Sequence, residues 1–157
     1  MPKIILNTHI YAPLETCFNL ARSIDLHKES MKHTSEQAVA GITEGLIELG
    51  ESVTFRARHF GIVMKLTSTI TEFQYPDMFI DEMVKGPFHN MKHRHIFQMS
   101  HGYTVMVDEF VYTSPLGILG KLVDTIFLES YMKKLLIKRN HILKYIAESS
   151  GDRGKVF

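Results

Sequence analysis

The sequence predicts an α+β domain: a curved antiparallel sheet of about seven strands, two short helices, and a long C-terminal helix packed in the sheet's concave face. Three observations carry this. Between residues 52 and 113, apolar and polar residues alternate in runs separated by tight-turn residues. After Pro115, helical periodicity returns and continues to Glu148, interrupted by nothing stronger than Gly117 and Gly120. A strand meander followed by one amphipathic helix must bury the helix's apolar stripe against the sheet, and a sheet this long curls around it.

Residues 3–11, KIILNTHIY, are rich in β-formers and predict a first strand. Ala12-Pro13-Leu14-Glu15 starts a helix, with Pro13 near its first turn and Phe18, Leu20 and Ala21 on its apolar side. Ser23-Ile24-Asp25 opens a second helix over 24–30, and 33–40 reads as a weak strand. Gly41, Gly45 and Gly50 punctuate the loop that follows. Ser52 to Phe60 alternates, with Val53, Phe55, Ala57 and His59 on one face and Thr54, Arg56 and Arg58 on the other. A two-residue loop at Phe60-Gly61 sets Ala57 against Met64, Phe55 against Leu66 and Val53 against Ser68, so the apolar faces agree across the pair. Strands follow at 62–74, 79–85, 88–100 and 103–113, with turns at Tyr75-Pro76-Asp77, Gly86-Pro87 and His101-Gly102. One domain over 1–148 and a loose polar tail over 149–157 are expected.

Composition excludes several classes of function. The chain has 157 residues, 45% hydrophobic and 22% charged, which suits one globular domain. Eighteen basic residues against 17 acidic give a net charge of +1, so no global field gathers nucleic acid or an anionic membrane. Cys17 is the only cysteine, which rules out an internal disulfide. No window has the apolar length to span a bilayer, and Met1-Pro2-Lys3-Ile4 does not open a signal peptide. A cytoplasmic protein is expected. Glycine-rich phosphate loops, paired zinc-ligand cysteines and a Gly-x-Ser-x-Gly elbow are absent from the sequence.

The chemistry concentrates on the strand 88–100. Its inward face should present His89, Met91, His93, His95, Phe97 and Met99, with Asn90, Lys92, Arg94, Ile96 and Gln98 facing solvent. The His101-Gly102 loop then sets Met99 opposite Thr104, Phe97 opposite Met106, His95 opposite Asp108, His93 opposite Phe110 and Met91 opposite Tyr112. A histidine facing a carboxylate inside a curled sheet predicts a His95–Asp108 hydrogen bond, in which Asp108 fixes the imidazole tautomer. Asp81, on the neighbouring strand, is a second inward carboxylate. One reading is a buried polar network in which His95, Asp108 and Tyr112 satisfy one another. The other is acid–base catalysis, with His95, Asp108 and His93 as candidates but no nucleophile beside them. His93-x-His95 also has a metal-ligand spacing, with Asp81 or Asp108 as oxygen donors. A cupin-type site would need a further histidine on the 103–113 strand, so neither metal nor cofactor is expected. On the long helix, Lys133, Lys134, Lys138, Arg139, His141 and Lys144 read as a solvated outer face. Leu119, Leu122, Val123, Ile126, Phe127, Leu135 and Ile142 read as core.

The order of elements is similar to that of the START-like, SRPBCC superfamily, whose helix-grip fold is shared by polyketide cyclases, birch-pollen-allergen-type proteins and lipid-transfer domains. A narrower likeness lies in Phe79-Ile80-Asp81-Glu82-Met83, Gly86-Pro87-Phe88 and His93-Arg94-His95-Ile96-Phe97, with Thr104, Asp108, Tyr112 and Pro115-Leu116-Gly117. These resemble a bacterial SRPBCC branch whose members carry cell-division or cyclase-like labels. That branch commonly has an aromatic residue where Met91 stands, so the pocket lining here differs. The resemblance implies a helix-grip fold and a cavity between sheet and helix. It implies no activity, because the superfamily hosts binders and enzymes alike.

The resulting expectation is a binding domain for a small apolar molecule. Met64, Leu66, Met83, Met91, Phe97, Met106 and Phe110 should line the cavity, with Asp81, His93, His95, Asp108 and Tyr112 as the polar groups that orient a ligand. Nucleic acid is not expected as a partner, and a homodimer is compatible with the sequence. An enzyme of cyclase or hydrolase type using the His–Asp pair is the alternative, and a regulatory interaction protein without ligand is the second.

Overall fold

The structure, a computed structural model, describes residues 2–114 and 127–150. Seven strands form one antiparallel sheet: β1 (Lys3–Ile10), β2 (Gln37–Gly41), β3 (Ser52–His59), β4 (Ile62–Gln74), β5 (Met78–Lys85), β6 (Asn90–Ser100) and β7 (Tyr103–Thr113). Their spatial order is β1-β7-β6-β5-β4-β3-β2, so the first strand lies beside the last and the meander occupies the middle. Two helices, α1 (Leu14–Ala21) and α2 (Ile24–Ser30), follow β1, and a single 3-10 turn at Lys32–Thr34 precedes β2. The long helix α3 runs Glu129–Ser150, two residues past the end expected at 148. Its expected first half, 116–126, lies outside the described residues, as do core candidates Leu119, Leu122, Val123 and Ile126 and the tail from 151. Among the described residues, no helix is long and apolar enough to cross a membrane.

Local chemistry explains these boundaries. Pro13 caps α1 with extended dihedrals and ends β1's reach into the helix. The Ser23 hydroxyl accepts from Leu26 N–H and satisfies one of the free donors at the start of α2. Both two-residue hairpin loops have left-handed backbone at both positions: Phe60 and Gly61 at φ 54° and 75°, His101 and Gly102 at φ 47° and 87°. The β3–β4 register places Ala57, Phe55 and Val53 opposite Met64, Leu66 and Ser68, as the alternation requires. The β6–β7 register likewise sets His95 opposite Asp108 and His93 opposite Phe110. Register shifts at Ala38/Ala40, Thr67/Ser68 and Ile70/Glu72 break the ladders and help curl the sheet.

The concave face carries two apolar clusters. One, built around Ile10, Phe18, Phe79, Phe97, Met106 and Leu143, packs α1 and the C-terminal half of α3 onto the sheet. The other joins Ile4, Met91, Phe110, Tyr112 and Leu136. Between them lies the cavity. Burial corrects the expected inward face of β6 at its ends: Met91, His93, His95 and Phe97 are buried, but His89 and Met99 are exposed. Alternation points a side chain to one side of the sheet, yet burial also needs an element above it, and neither strand end has that cover. Phe127 is corrected for the same reason; it is 54% exposed rather than part of the core.

Candidate functional site

The cavity has a volume of about 380 Å³ and lies between the concave sheet and α3. Its walls are mainly apolar: Val53, Phe55, Ala57, Met64, Leu66 and Ile70 from the β3–β4 hairpin, Met91 and Phe110 from β6 and β7, and Leu128, Met132, Leu135 and Leu136 from the helix side. Ile24, Met31 and Ile47 close it on the side of α2. Asp81, His93, His95 and Arg139 form a polar end.

Of the residues expected at the site, Met64, Leu66, Asp81, Met91, His93, His95 and Phe110 line this space. Phe97, Met106, Asp108 and Tyr112 are fully or almost fully buried and do not reach it. Phe97 and Met106 belong to the first apolar cluster, while Tyr112 packs against Phe88 and Phe110 in the second. Met83 is half-buried beside that second cluster and does not line the cavity. These residues are inward in register, but they pack against side chains of α1 and α3, so the cavity stops short.

The polar end corrects the expected His95–Asp108 hydrogen bond. His95 Nδ1 lies 3.6 Å from Asp108 Oδ1, beyond a hydrogen bond. The two imidazoles stack on each other at a centroid distance of 3.8 Å, and each reaches diagonally across the sheet. His93 Nε2–H donates to Asp108 Oδ1 at 2.8 Å, and His95 Nε2–H donates to Asp81 Oδ2 at 2.7 Å. Directly opposite partners are Asp81 with His93 and His95 with Asp108. Strand twist brings one diagonal within range of long side chains, and that diagonal wins here. Phe79 stacks on the outer face of His95 at 4.1 Å and Phe110 meets the His93 edge at 5.3 Å, which holds both rings in place.

Sequence reasoning missed the other half of this network. Arg139, expected on the solvated helix face, is only 4% exposed. Its guanidinium donates to Asp108 Oδ1 at 3.4 Å, to Asn140 Oδ1 at 3.1 Å and to the Ala21 carbonyl at 3.2 Å. Asn140 donates to Asp108 Oδ2 at 2.7 Å and to the Thr8 hydroxyl at 3.2 Å. Asp108 therefore accepts from one sheet residue and two helix residues, and ties α3 to the sheet. The signal was the helical stripe Leu136, Arg139, Asn140, Leu143 and Ala147, whose i, i+3, i+4 spacing puts Arg139 on the buried side.

Electrostatics follow from these partners. Burial pushes Asp108 up, but the hydrogen bond from His93 and the Arg139 cation outweigh it and hold the carboxyl below the usual range. Asp81 is lowered in the same way against its burial, chiefly by the His95 bond. His95 is lowered from 6.5 to about 4, first by burial and then by the adjacent His93, against the pull of Asp81. A neutral His95 that donates from Nε2 keeps a lone pair on Nδ1, and that buried atom has no hydrogen-bond partner among the described residues. Ligand atoms of Asp81, His93 and His95 also lie within 4.8 Å of one another, close enough to hold a metal ion, although two of the three are bonded together. Cys17 is buried and its thiol is pushed up to about 11 by that burial, so it offers no thiolate.

No family model matches the chain, and no curated protein does. Solved structures do. TTHA0849 from Thermus thermophilus superposes with a TM-score of 0.71 at 19% identity, over 90% of this chain and 97% of that one. A START superfamily protein from Mycobacterium smegmatis gives 0.69 at 12% identity, over 94% of this chain and 97% of that one. The di-domain ARO/CYC StfQ of the steffimycin biosynthetic pathway gives 0.76 at 11% identity, over 96% of this chain and 51% of that one. These superpositions over nine-tenths or more of this chain, with its seven-stranded antiparallel sheet and C-terminal helix, give it a START-like helix-grip fold.

Proposed function

We propose that the protein binds a small, mainly apolar molecule with one hydrogen-bonding group, held in the cavity between the sheet and α3. The observation that carries this is the cavity itself: about 380 Å³, walled by aliphatic, Met and aromatic side chains, with polar groups gathered at one end. Packed interiors leave few voids larger than a water molecule, so a space of this size costs dispersion contacts unless something fills it. At the polar end, Asp81, Asp108 and Arg139 already have partners, which favours a neutral hydroxyl or carbonyl over an ionised group. Asp81, part-exposed at that end, offers a carboxylate oxygen as acceptor for a hydroxyl. The solved START superfamily and ARO/CYC neighbours support the fold in which such a cavity is expected.

Catalysis by the His–Asp pairs is the weaker reading. A histidine held near pH 4 is a poor base at neutral pH, and Asp108 does not reach the cavity. Native mass spectrometry of the purified protein, with a titration of an anilinonaphthalene probe, tests the binding reading. The expected result is a retained apolar molecule or saturable 1:1 probe binding at micromolar concentration. A protein that carries no ligand and binds no probe would overturn it.

A further inference from the structure

The β3–β4 hairpin breaks two local rules at once. Phe60 stands at the first position of a two-residue loop with φ 54°, where Asn or Asp is the ordinary choice and a bulky residue is strained. Its side chain is also 51% exposed, although it lines the cavity, so it sits on the cavity's rim. The comparable β6–β7 loop uses a polar residue, His101, in the same conformation. Strain at a residue that also exposes apolar surface marks a position kept for something other than folding.

The surroundings say what meets it. Ile62 and Val63 beside it in the hairpin are exposed and apolar, as is Phe127, and the Phe60 ring meets Phe127 and Tyr131 at tilted angles with centroids 5.2 and 4.5 Å apart. Arg56 and Lys65 face each other on the outer side of this hairpin, next to Arg58, and Lys85 ends the adjoining strand. All four are exposed, and none makes an ion pair among the described residues. Residues 52–71 and 83–107 contain no Asp or Glu. The near-zero net charge therefore conceals a cationic end, and the global balance that argued against an anionic membrane does not describe this surface.

We infer that the Phe60 hairpin docks on a bilayer carrying anionic headgroups, inserting its apolar tip at the interface and opening the cavity rim toward the membrane. Aliphatic side chains at the tip suit the acyl boundary, and the flanking cations suit the headgroup layer. Nucleic acid would use the cations and aromatic faces but leave Ile62 and Val63 without a partner. The proposal rests on the cavity reading only for its purpose, the passage of an apolar molecule without crossing water; the docking stands on the surface alone.

Vesicle co-sedimentation tests it, comparing phosphatidylcholine vesicles with vesicles containing phosphatidylglycerol. The parent should bind the anionic vesicles, and neutral vesicles or high salt should weaken binding by roughly fivefold for each cation engaged. Phe60→Asn should bind at least about tenfold more weakly while melting like the parent, since Asn suits the turn. Ile62→Thr with Val63→Thr, both outside the cavity, should weaken vesicle binding and leave probe affinity in solution unchanged. Vesicle binding by a parent that takes up no probe would support docking and sink the ligand reading. A parent that ignores anionic vesicles, a Phe60→Asn variant that binds them as well as the parent, or a parent dimer that Phe60→Asn dissolves would each overturn the proposal.

Discussion

The two ends of the cavity solve opposite problems. At the polar end, a buried carboxylate, a buried guanidinium and a part-exposed second carboxylate are each matched: Asp108 by His93 and Asn140, Arg139 by Asp108 and the Ala21 carbonyl, Asp81 by His95. At the rim, Phe60 holds a left-handed backbone with half its surface in water, among cations without ion-pair partners among the described residues. Burial enforces compensation, because an unmatched charge inside costs several kcal/mol. Solvent enforces no such compensation, so strain and exposure at the rim persist at low cost. The polar end should therefore govern stability, and the rim should govern encounters.

The largest effect should come from Asp108→Ala. It strands Arg139 and Asn140 on the helix and His93 on the sheet, and should lower unfolding free energy by about 3–5 kcal/mol in denaturant melts. A loss below about 1 kcal/mol would mean that the network is solvated and the comparison fails.

Acid should act in the same direction. His95 has a folded value of about 4 against 6.5 unfolded, so the unfolded chain binds the extra proton between those values. Stability is then complete above about pH 6.5 and falls toward pH 4, by roughly 3 kcal/mol. Asp81 and Asp108, both lowered in the fold, extend the loss below the usual carboxylate range as pH falls further. Denaturant midpoints between pH 8 and 4 measure this, and His95→Gln should flatten the upper part of the curve.

Asp81→Ala should cost less, about 1–3 kcal/mol, because it removes one partner from one imidazole. Its side chain is 20% exposed, so water can replace part of the loss. The same melts should rank it clearly below Asp108→Ala. Phe60→Asn should change stability least, within about 1 kcal/mol, since relief of backbone strain offsets lost ring contacts with Phe127 and Tyr131.

These two ends also differ in how legible they are in the sequence. Alternation and the His101-Gly102 loop set the β6–β7 register, so the meeting of His93, His95 and Asp108 can be read directly, whereas no two-residue loop fixes β5, and the place of Asp81 beside them comes from the structure. The bonds within that group cannot, because the chosen diagonal depends on sheet twist, which no residue pattern states. Arg139 is readable in principle, because helical phase outranks charge type at that position. Phe97, Met106 and Tyr112 face inward as expected, yet the edge of a cavity depends on what the helix covers. Net charge hides the rim altogether, since a sum over the chain erases where its members lie.

The claim beneath both ends is that the space between them holds an apolar molecule. Ala57 lines that space from β3, and Ala57→Phe would put a ring into it without touching either the polar network or the rim. Titrating a neutral fluorescent probe, N-phenyl-1-naphthylamine, into the parent and this variant is the direct test. The account predicts saturable 1:1 binding by the parent, affinity at least about tenfold weaker in Ala57→Phe, and no loss of stability, because the ring enters empty volume. Equal binding by both proteins would place the probe elsewhere and contradict the account.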